Sequence, residues 1–175
     1  MTQPQSQSPA EPPGDSVRGF LPEHEGRQLY EWAHQAAPIG PLLEIGSYCG
    51  KSAIWLGQAA KAHGTVVFAL DHHRGSEEHQ PGESHHDEAL TNTAGQFDSF
   101  GEFRRNIAAA GLEDTVVPIV ASSEIVGPHW QGGLGMVFID GGHSLDAALT
   151  DYRVWAPHLL AGGILAIHDV FPDPA

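Results

Sequence analysis

The chain has 175 residues, 41% of them hydrophobic, which is typical of one globular domain with a single buried core. Eight basic residues against 22 acidic ones give a net charge of −14, so the surface repels nucleic-acid phosphates and anionic lipid. We therefore expect no nucleic-acid partner and no membrane partner. No apolar run approaches the ~20 residues of a membrane span, no signal-peptide pattern opens the chain, and Cys49 is the only cysteine. These features predict a cytoplasmic protein.

The order of predicted elements follows from composition and periodicity. Residues 1–16 are rich in proline, glutamine and serine and predict a disordered tail, followed by one domain at residues 17–175. Within that domain, stretches with the period of a helix alternate with short apolar stretches typical of strands. Helices are predicted at residues 23–36, 51–62, 97–111 and 144–159, and strands at residues 41–46, 65–71, 114–122, 134–140 and 162–169.

This alternation predicts an α/β fold with a doubly wound, Rossmann-like parallel sheet and helices on both faces. Pro118 interrupts the third strand and places that strand at an edge of the sheet.

Acidic residues close four of the five predicted strands: Glu44, Asp71, Asp140 and Asp169. The carboxyl ends of parallel strands share one edge of the sheet, where ligands of doubly wound folds bind. Converging negative charges cost free energy unless a ligand or a cation compensates them. The pattern therefore predicts a binding site at this edge.

The loop after the first strand helps to define the ligand. Gly46 and Gly50 allow close approach of the backbone, but Tyr48 stands where a dinucleotide fingerprint needs its middle glycine. That departure argues against a pyrophosphate and against an NAD-dependent oxidoreductase. Asp71 is suited to a ribose diol, and an acidic pocket for a cationic nucleoside fits S-adenosylmethionine. The alternative is that the glycines only form turns and that Asp71 only caps a helix.

Three stretches, EIGSYCGKS, LDHHRGSEEHQPGE and FIDGGHSLDAALTDYRVWAPHLLAGGILAIHDVFPDP, resemble class I S-adenosylmethionine-dependent methyltransferases. The resemblance is strongest to the metal-dependent sugar O-methyltransferase branch, in particular to mycobacterial 1-O-methyltransferases of methylmannose polysaccharide synthesis. It implies that Asp71 holds the ribose and that Ser122 lies beside the adenine. The other implied cofactor-binding residues are Glu44, Gly46, Ser47, Gly50 and Asp140.

A metal site is expected beside the cofactor. Carboxylates on adjacent strand ends, here Asp140 and Asp169, can share one Mg²⁺. His168 stands where the related sugar enzymes carry a third acid, and a histidine ligand would favour Mn²⁺. Neighbouring residues in a strand point to opposite faces, so His168 and Asp169 can both bind the ion only if the backbone bends.

Methyl transfer to an alcohol requires alignment and removal of a proton, and a bound cation lowers the pKa of the hydroxyl. His143 follows Asp140 by three residues, and we expect it to be the catalytic general base. The alternative for His143 is a solvent-exposed residue at a helix start. Asp146 and Asp151 are expected on the solvated surface, although Asp146 would also be placed to orient His143.

The segment at residues 71–88 holds five of the twelve histidines and has no apolar period. We interpret it as a polar lid over cofactor and sugar, with Arg74 and Glu77 donating or accepting hydrogen bonds. A transition-metal site would be the other interpretation, formed by His72, His73, His79, His85 and His86.

The predicted function is transfer of a methyl group to the hydroxyl of a sugar or oligosaccharide acceptor. A catechol-type phenol O-methyltransferase and a nucleoside-binding module without catalysis are the alternatives, and self-association into a homo-oligomer stays open. The resemblance also implies two further C-terminal strands, one of them antiparallel. The chain stops soon after the fifth predicted strand, so we expect these strands to be absent through truncation.

Overall fold

The computed structural model describes Pro13 and residues 17–76, 88–142 and 144–170. The predicted tail therefore lies outside the described residues, apart from Pro13. No helix in the described ranges combines the length and the apolar character needed to cross a membrane.

A five-stranded parallel sheet forms the centre of the molecule, with the strand order β3-β2-β1-β4-β5. The strands are β1 (Leu42–Ile45), β2 (Val67–Leu70), β3 (Val116–Ile119), β4 (Leu134–Ile139) and β5 (Leu159–Ile167). The helices are α1 (Glu23–Ala36), α2 (Lys51–Ala62), α3 (Phe100–Ala109), α4 (Ser123–Val126) and α5 (Leu145–Trp155). The predicted α/β class is confirmed, and β3 with its Pro118 lies at an edge.

Successive side chains of a strand point to opposite faces of the sheet, so the sheet has an apolar surface on both faces. Helices cover both of these surfaces and form two apolar clusters with them. Leu42 points into the cluster that contains Trp55 of α2, whereas Leu43 points into the cluster that contains Trp155 of α5. Both tryptophans are almost completely buried. Burial on both faces explains why β4 has no polar side chain and why Glu44 is the only polar residue of β1.

Several elements differ from the sequence-based prediction. Helix α3 begins at Phe100 instead of residue 97, β3 is shorter than the predicted strand, and α4 has no predicted counterpart. Helix α5 ends at Trp155, a short 3-10 turn follows, and β5 begins at Leu159, three residues earlier than expected. The early part of β5 leaves the regular register against β4, and Gly162 there adopts a φ of 83°. The first residues of β5 form an irregular stretch, and regular pairing with β4 runs from Ile164 to Ile167. Apolar periodicity alone does not show such an irregular start.

The loops that follow β1, β2, β4 and β5 all lie at one edge of the sheet. The segment before α1 also reaches this edge, because the Lys51 ammonium at the start of α2 donates a hydrogen bond of 3.1 Å to the Gly19 carbonyl. Residues from the start, the middle and the end of the chain thus surround the same space.

Candidate active site at the carboxyl edge of the sheet

A cavity of about 640 Å³ opens at this edge. Its wall contains residues from the β1–α2 loop, the ends of β2 and β4, and the segment before α1. The predicted residues Gly46, Ser47, Asp71, Ser122 and Asp140 all line it. The volume is within the range of small-molecule sites, so one pocket brings together most of the predicted cofactor-binding residues.

The β1–α2 loop makes its turn with left-handed backbone at Gly46 (φ 88°), Tyr48 (φ 45°) and Gly50 (φ 92°). A Cβ atom at Gly46 would lie 2.1 Å from the Asp140 carbonyl oxygen, so only glycine fits there. This close approach fixes the floor of the cavity directly against the end of β4. The glycines therefore do more than permit a turn, since Gly46 sets the spacing between two walls of the site.

Asp71 at the end of β2 holds this loop in place. Its Oδ2 accepts hydrogen bonds from the backbone N–H groups of Ser47 (2.9 Å) and Tyr48 (2.8 Å), and its Oδ1 accepts one from the His73 N–H (2.7 Å). A carboxylate has about four acceptor sites. These bonds use three of them, so one site on Oδ1 remains, and Asp71 lines the cavity. A role at a ribose stays a prediction, but the carboxylate clearly organises the loop.

Glu44 lies behind the loop, outside the cavity wall, with no exposed surface. Neither of its oxygens has a hydrogen-bond partner of good geometry. Burial raises the pKa of Glu44 to about 8; the hydroxyls of Ser52 and Ser47 act against this, and the negative charges of Asp140 and Asp71 add to it. Glu44 is thus an acid held in an environment that favours its neutral form.

Three candidate metal ligands meet where β4 and β5 end. One ligand atom from each of Asp140, His168 and Asp169 lies within 4.8 Å of the other two. His168 Nδ1 lies 3.1 Å from Asp140 Oδ1 and 3.2 Å from Asp169 Oδ2. Neighbouring ligands of an octahedral ion with bonds of about 2.1 Å are about 3.0 Å apart. Two carboxylates and one imidazole at this spacing fit a divalent cation.

The bend required for this cluster is present at Asp169, which adopts a φ of 54°. This left-handed residue follows β5 immediately and turns its side chain to the same side as that of His168. Aspartate tolerates this conformation better than most residues. The alternation that would have separated the two side chains ends at Ile167.

Glu25 of α1 is a further partner of this cluster. His168 Nε2 lies 2.8 Å from Glu25 Oε2, within a hydrogen bond that joins the start of α1 to the end of β5. Burial alone would lower the pKa of His168, but the bond with Glu25 and the carboxylates of Asp140 and Asp169 together raise it. The imidazole therefore lies among three acidic side chains.

Acidic and hydroxyl groups of α4, α5 and the residue before α4 also line the cavity. Ser123 Oγ accepts a hydrogen bond of 2.8 Å from the indole N–H of Trp155. The prediction of a solvated surface position is wrong for Asp151, which is only 9% exposed and lines the cavity together with Ser122. Burial raises the pKa of Asp151. A hydrogen bond with the Ser123 hydroxyl offsets part of this rise, and the negative charge of Glu124 adds to it. Asp146 is exposed, as expected.

Aromatic rings cover one side of the cavity. The ring of Tyr48 lies 6.1 Å from that of Phe20 and 6.2 Å from that of Phe97, centroid to centroid, and all three residues line the cavity. These spacings are within the range of favourable aromatic pairs. The site therefore has aromatic as well as acidic lining residues.

A family described as "Methyltransferase domain" matches residues 43–170, which is most of the chain. The chain belongs to this methyltransferase family. The match begins in β1 and ends just after Asp169, so it includes every predicted cofactor and metal residue.

Solved structures share the fold of this methyltransferase domain. The SAH-bound methyltransferase PaMTH1 of Podospora anserina is 17% identical with a TM-score of 0.62, and the alignment covers 85% of this chain and 53% of that one. The O-methyltransferase TomG of Streptomyces achromogenes, solved with SAM and involved in tomaymycin synthesis, is 18% identical (TM-score 0.59; 85% and 56% covered). The O-methyltransferase NovP is also 18% identical (TM-score 0.65; 82% and 64% covered). The chain thus spans between 53% and 64% of the length of these proteins.

Some predicted residues of the methyltransferase domain lie outside the described residues. His143, the expected general base, is one of them, and so are Glu77, His79, His85 and His86 of the histidine-rich segment. Their predicted roles stay predictions.

The beginning of the histidine-rich segment is described and shows a structural role for one residue. His73 is 2% exposed, its Nδ1 lies 2.8 Å from Ser99 Oγ, and its ring packs against Phe100 and Phe103. Among the described residues, neither His72 nor His73 belongs to a group of three candidate metal ligands.

Sequence reasoning did not identify Glu25 or Asp151 as residues of the site. An acid in the first turn of a helix, such as Glu25, is ordinarily explained by the helix dipole alone. Asp151 lies within the polar part of α5, and the apolar periodicity of that helix does not show that the Asp151 side chain faces a cavity.

Proposed function

We propose that this methyltransferase domain is an S-adenosylmethionine-dependent O-methyltransferase that uses a divalent metal ion and acts on a sugar hydroxyl. One observation carries the proposal. The cluster of Asp140, His168 and Asp169 lies on the wall of the same cavity whose floor is the Gly46 loop. A cofactor on that loop and a metal in that cluster would lie next to each other.

Electrostatics support S-adenosylmethionine as the donor. Six acidic residues line the cavity against two basic ones, Arg18 and Lys51. The net negative charge would attract a sulfonium cation and repel a pyrophosphate. The bare backbone at Gly46 leaves room for the cofactor to approach the loop. We assign the nucleoside to the side of Asp71 and Ser122, and the methionine to the side of the glycine loop.

The metal-binding residues would be Asp140, His168 and Asp169. When bound, the cation supplies Lewis-acid chemistry that makes an acceptor hydroxyl easier to deprotonate. The two carboxylates carry the charge of the site, and the imidazole adds a nitrogen donor that favours Mn²⁺ over Mg²⁺. The carboxylate of Asp140 lies 3.1 Å from His168 Nδ1 and its backbone packs against Gly46, so Asp140 would align the cofactor with the metal.

His143 would remove the proton of the acceptor hydroxyl. It directly follows Gly142, which lines the cavity, and precedes Ser144, whose hydroxyl accepts the Ala147 N–H at the start of α5. General bases of this kind contribute about 10²–10⁴-fold to the rate. The proton would leave on the imidazole as the methyl group is transferred in line.

A phenol is the second candidate acceptor. The rings of Phe20, Tyr48 and Phe97 on one side of the cavity are the observation that favours it, since flat aromatic substrates stack on such surfaces. Sugars also place their apolar faces on aromatic rings, so this surface is compatible with both acceptors. The sugar stays our first proposal because the resemblance to sugar enzymes extends over the metal-binding motifs.

Transfer of a radiolabelled methyl group tests the proposal. The acceptors are a panel of mannosides, other sugars and catechols, each measured with Mn²⁺, with Mg²⁺ and with a chelator. We expect transfer to a mannoside, and a loss of about 100-fold on chelation, because a metal contributes several kcal/mol to such a step. Transfer to catechols alone would replace the sugar by the phenol. Cofactor binding without transfer to any acceptor would favour a non-catalytic nucleoside-binding module.

A further inference from the structure

The contact between Glu25 and His168 has no explanation in the packing of the core. Glu25 is in the first turn of α1, 143 residues before His168, and its side chain is 40% exposed. Glu25 does not line the cavity, whereas His168 does. The carboxylate therefore contacts the histidine from behind, on the side that faces away from the other two acids.

This contact determines which nitrogen of His168 carries the proton in the neutral ring. A carboxylate only accepts hydrogen bonds, so the bond of 2.8 Å requires a proton on Nε2. Nδ1 then presents a lone pair towards Asp140 Oδ1 and Asp169 Oδ2, 3.1 and 3.2 Å away. Nδ1 is buried, and neither approach has the geometry of a hydrogen bond. In the neutral ring this lone pair and the two carboxylate oxygens repel one another, and either a proton on Nδ1 or a cation among the three atoms relieves the repulsion.

We infer that Glu25 is a positioning residue for the metal site: it holds His168 in the Nε2–H tautomer and directs Nδ1 at a divalent cation shared with Asp140 and Asp169. This inference rests on the metal site of the proposed function. Histidine ligands commonly donate their other N–H group to a carboxylate, which fixes the ring and increases its basicity as a ligand. Here the carboxylate comes from the start of α1, so the first helix becomes part of the metal site.

The first turn of α1 also contains a matched control. Glu23 is two residues away on the same turn, and its Oε1 pairs with the guanidinium of Arg27 instead of with the cluster. Glu23→Gln removes the same charge from the same helix end. Any effect of Glu25 that comes from helix stability or from general electrostatics should appear in both variants.

Binding of Mn²⁺, followed through the electron paramagnetic resonance signal of the free ion, is the first measurement. We expect Glu25→Gln and Glu25→Ala to weaken Mn²⁺ binding about 10–100-fold, the usual effect of losing such a partner. Glu23→Gln should stay within about twofold of the unchanged protein, as surface substitutions do. In a His168→Ala background, Glu25→Gln should have no further effect, because Glu25 acts through that ring. Circular dichroism establishes that each variant is folded, and the Gln variant serves if the Ala variant is not.

The second measurement does not depend on metal binding or on activity. Nitrogen-15 NMR of histidine-labelled, metal-free protein, at a pH where the His168 ring is neutral, reports the protonated nitrogen directly. We expect the Nε2–H form in the unchanged protein and in Glu23→Gln, and a mixture of tautomers in Glu25→Gln.

The outcomes separate this inference from the proposed function. If the unchanged protein binds Mn²⁺ and Glu25→Gln binds it equally well, the positioning role is refuted while the metal site stands. If the unchanged protein binds no Mn²⁺, the metal part of the proposed function fails and the inference fails with it. An Nδ1–H ring in the neutral, unchanged protein would also overturn the inference, whatever the metal affinity.

Discussion

The buried acid Glu44 allows a prediction about stability that can be worked out from the structure. Its pKa is about 8 in the folded protein against 4.5 for an exposed glutamate. Because the folded value is the higher one, the folded state binds this proton more tightly. The resulting stabilisation is complete below about pH 4.5 and is lost as the pH rises to about 8. One pKa unit corresponds to about 1.4 kcal/mol, so the loss is about 1 kcal/mol near pH 5 and about 3 kcal/mol near pH 7.

Glu44→Gln removes this titration and keeps the shape of the side chain. The cost of burying an amide is the same at both pH values, so it cancels when the two are compared. We therefore expect the free energy of unfolding of Glu44→Gln, relative to the unchanged protein, to increase by about 2 kcal/mol between about pH 5 and pH 7.

Urea denaturation followed by circular dichroism at the two pH values provides the measurement. Glu31→Gln, which removes an exposed acid of α1, is the control. The reasoning would be refuted if the free energies of unfolding of Glu44→Gln and the unchanged protein differed by the same amount at both pH values. Such a result would show that Glu44 titrates as an ordinary solvated acid.

Three further predictions concern the walls of the cavity. Asp71→Ala leaves three backbone N–H groups without their acceptor, so urea denaturation should show a free energy of unfolding lower by about 2–4 kcal/mol. The control Asp114→Ala removes an exposed acid and should lower the free energy of unfolding by less than about 0.5 kcal/mol. Gly46→Ala forces a Cβ to within 2.1 Å of the Asp140 carbonyl, so calorimetry should detect no SAH binding in any folded protein; normal affinity would contradict the tight floor. His143→Ala should lower kcat for methyl transfer at least about 100-fold while SAH affinity stays unchanged, and an unaltered kcat would exclude it as the base.

Much of the fold follows from patterns that are local in the sequence. Continuous apolar strands separated by helices predict a parallel sheet, and Pro118 correctly places β3 at the edge. The bounds of α1 and α2 agree with the sequence-based prediction. The early start of β5 could not be predicted, because its irregular first residues depend on the register against β4 and on the conformation of Gly162.

The candidate site shows a similar division. Strand ends indicate which acids converge, since parallel strands end at the same edge of the sheet, and the structure brings Asp140 and Asp169 together. Whether His168 joins them depends on one backbone angle at Asp169, which no sequence pattern determines. Glu25 reaches the cluster only because α1 packs beside β5, so the pair is invisible without the tertiary structure.

Crystals soaked with SAH and Mn²⁺, with anomalous diffraction recorded at the manganese edge, test the central claim most directly. The claim is that one cavity holds the methyl donor beside a divalent cation. We predict an anomalous peak within about 2.3 Å of Asp140, His168 Nδ1 and Asp169, with SAH on the Gly46 loop and its ribose beside Asp71. SAH bound at that loop with no peak among the three side chains would contradict the account of a metal-assisted enzyme.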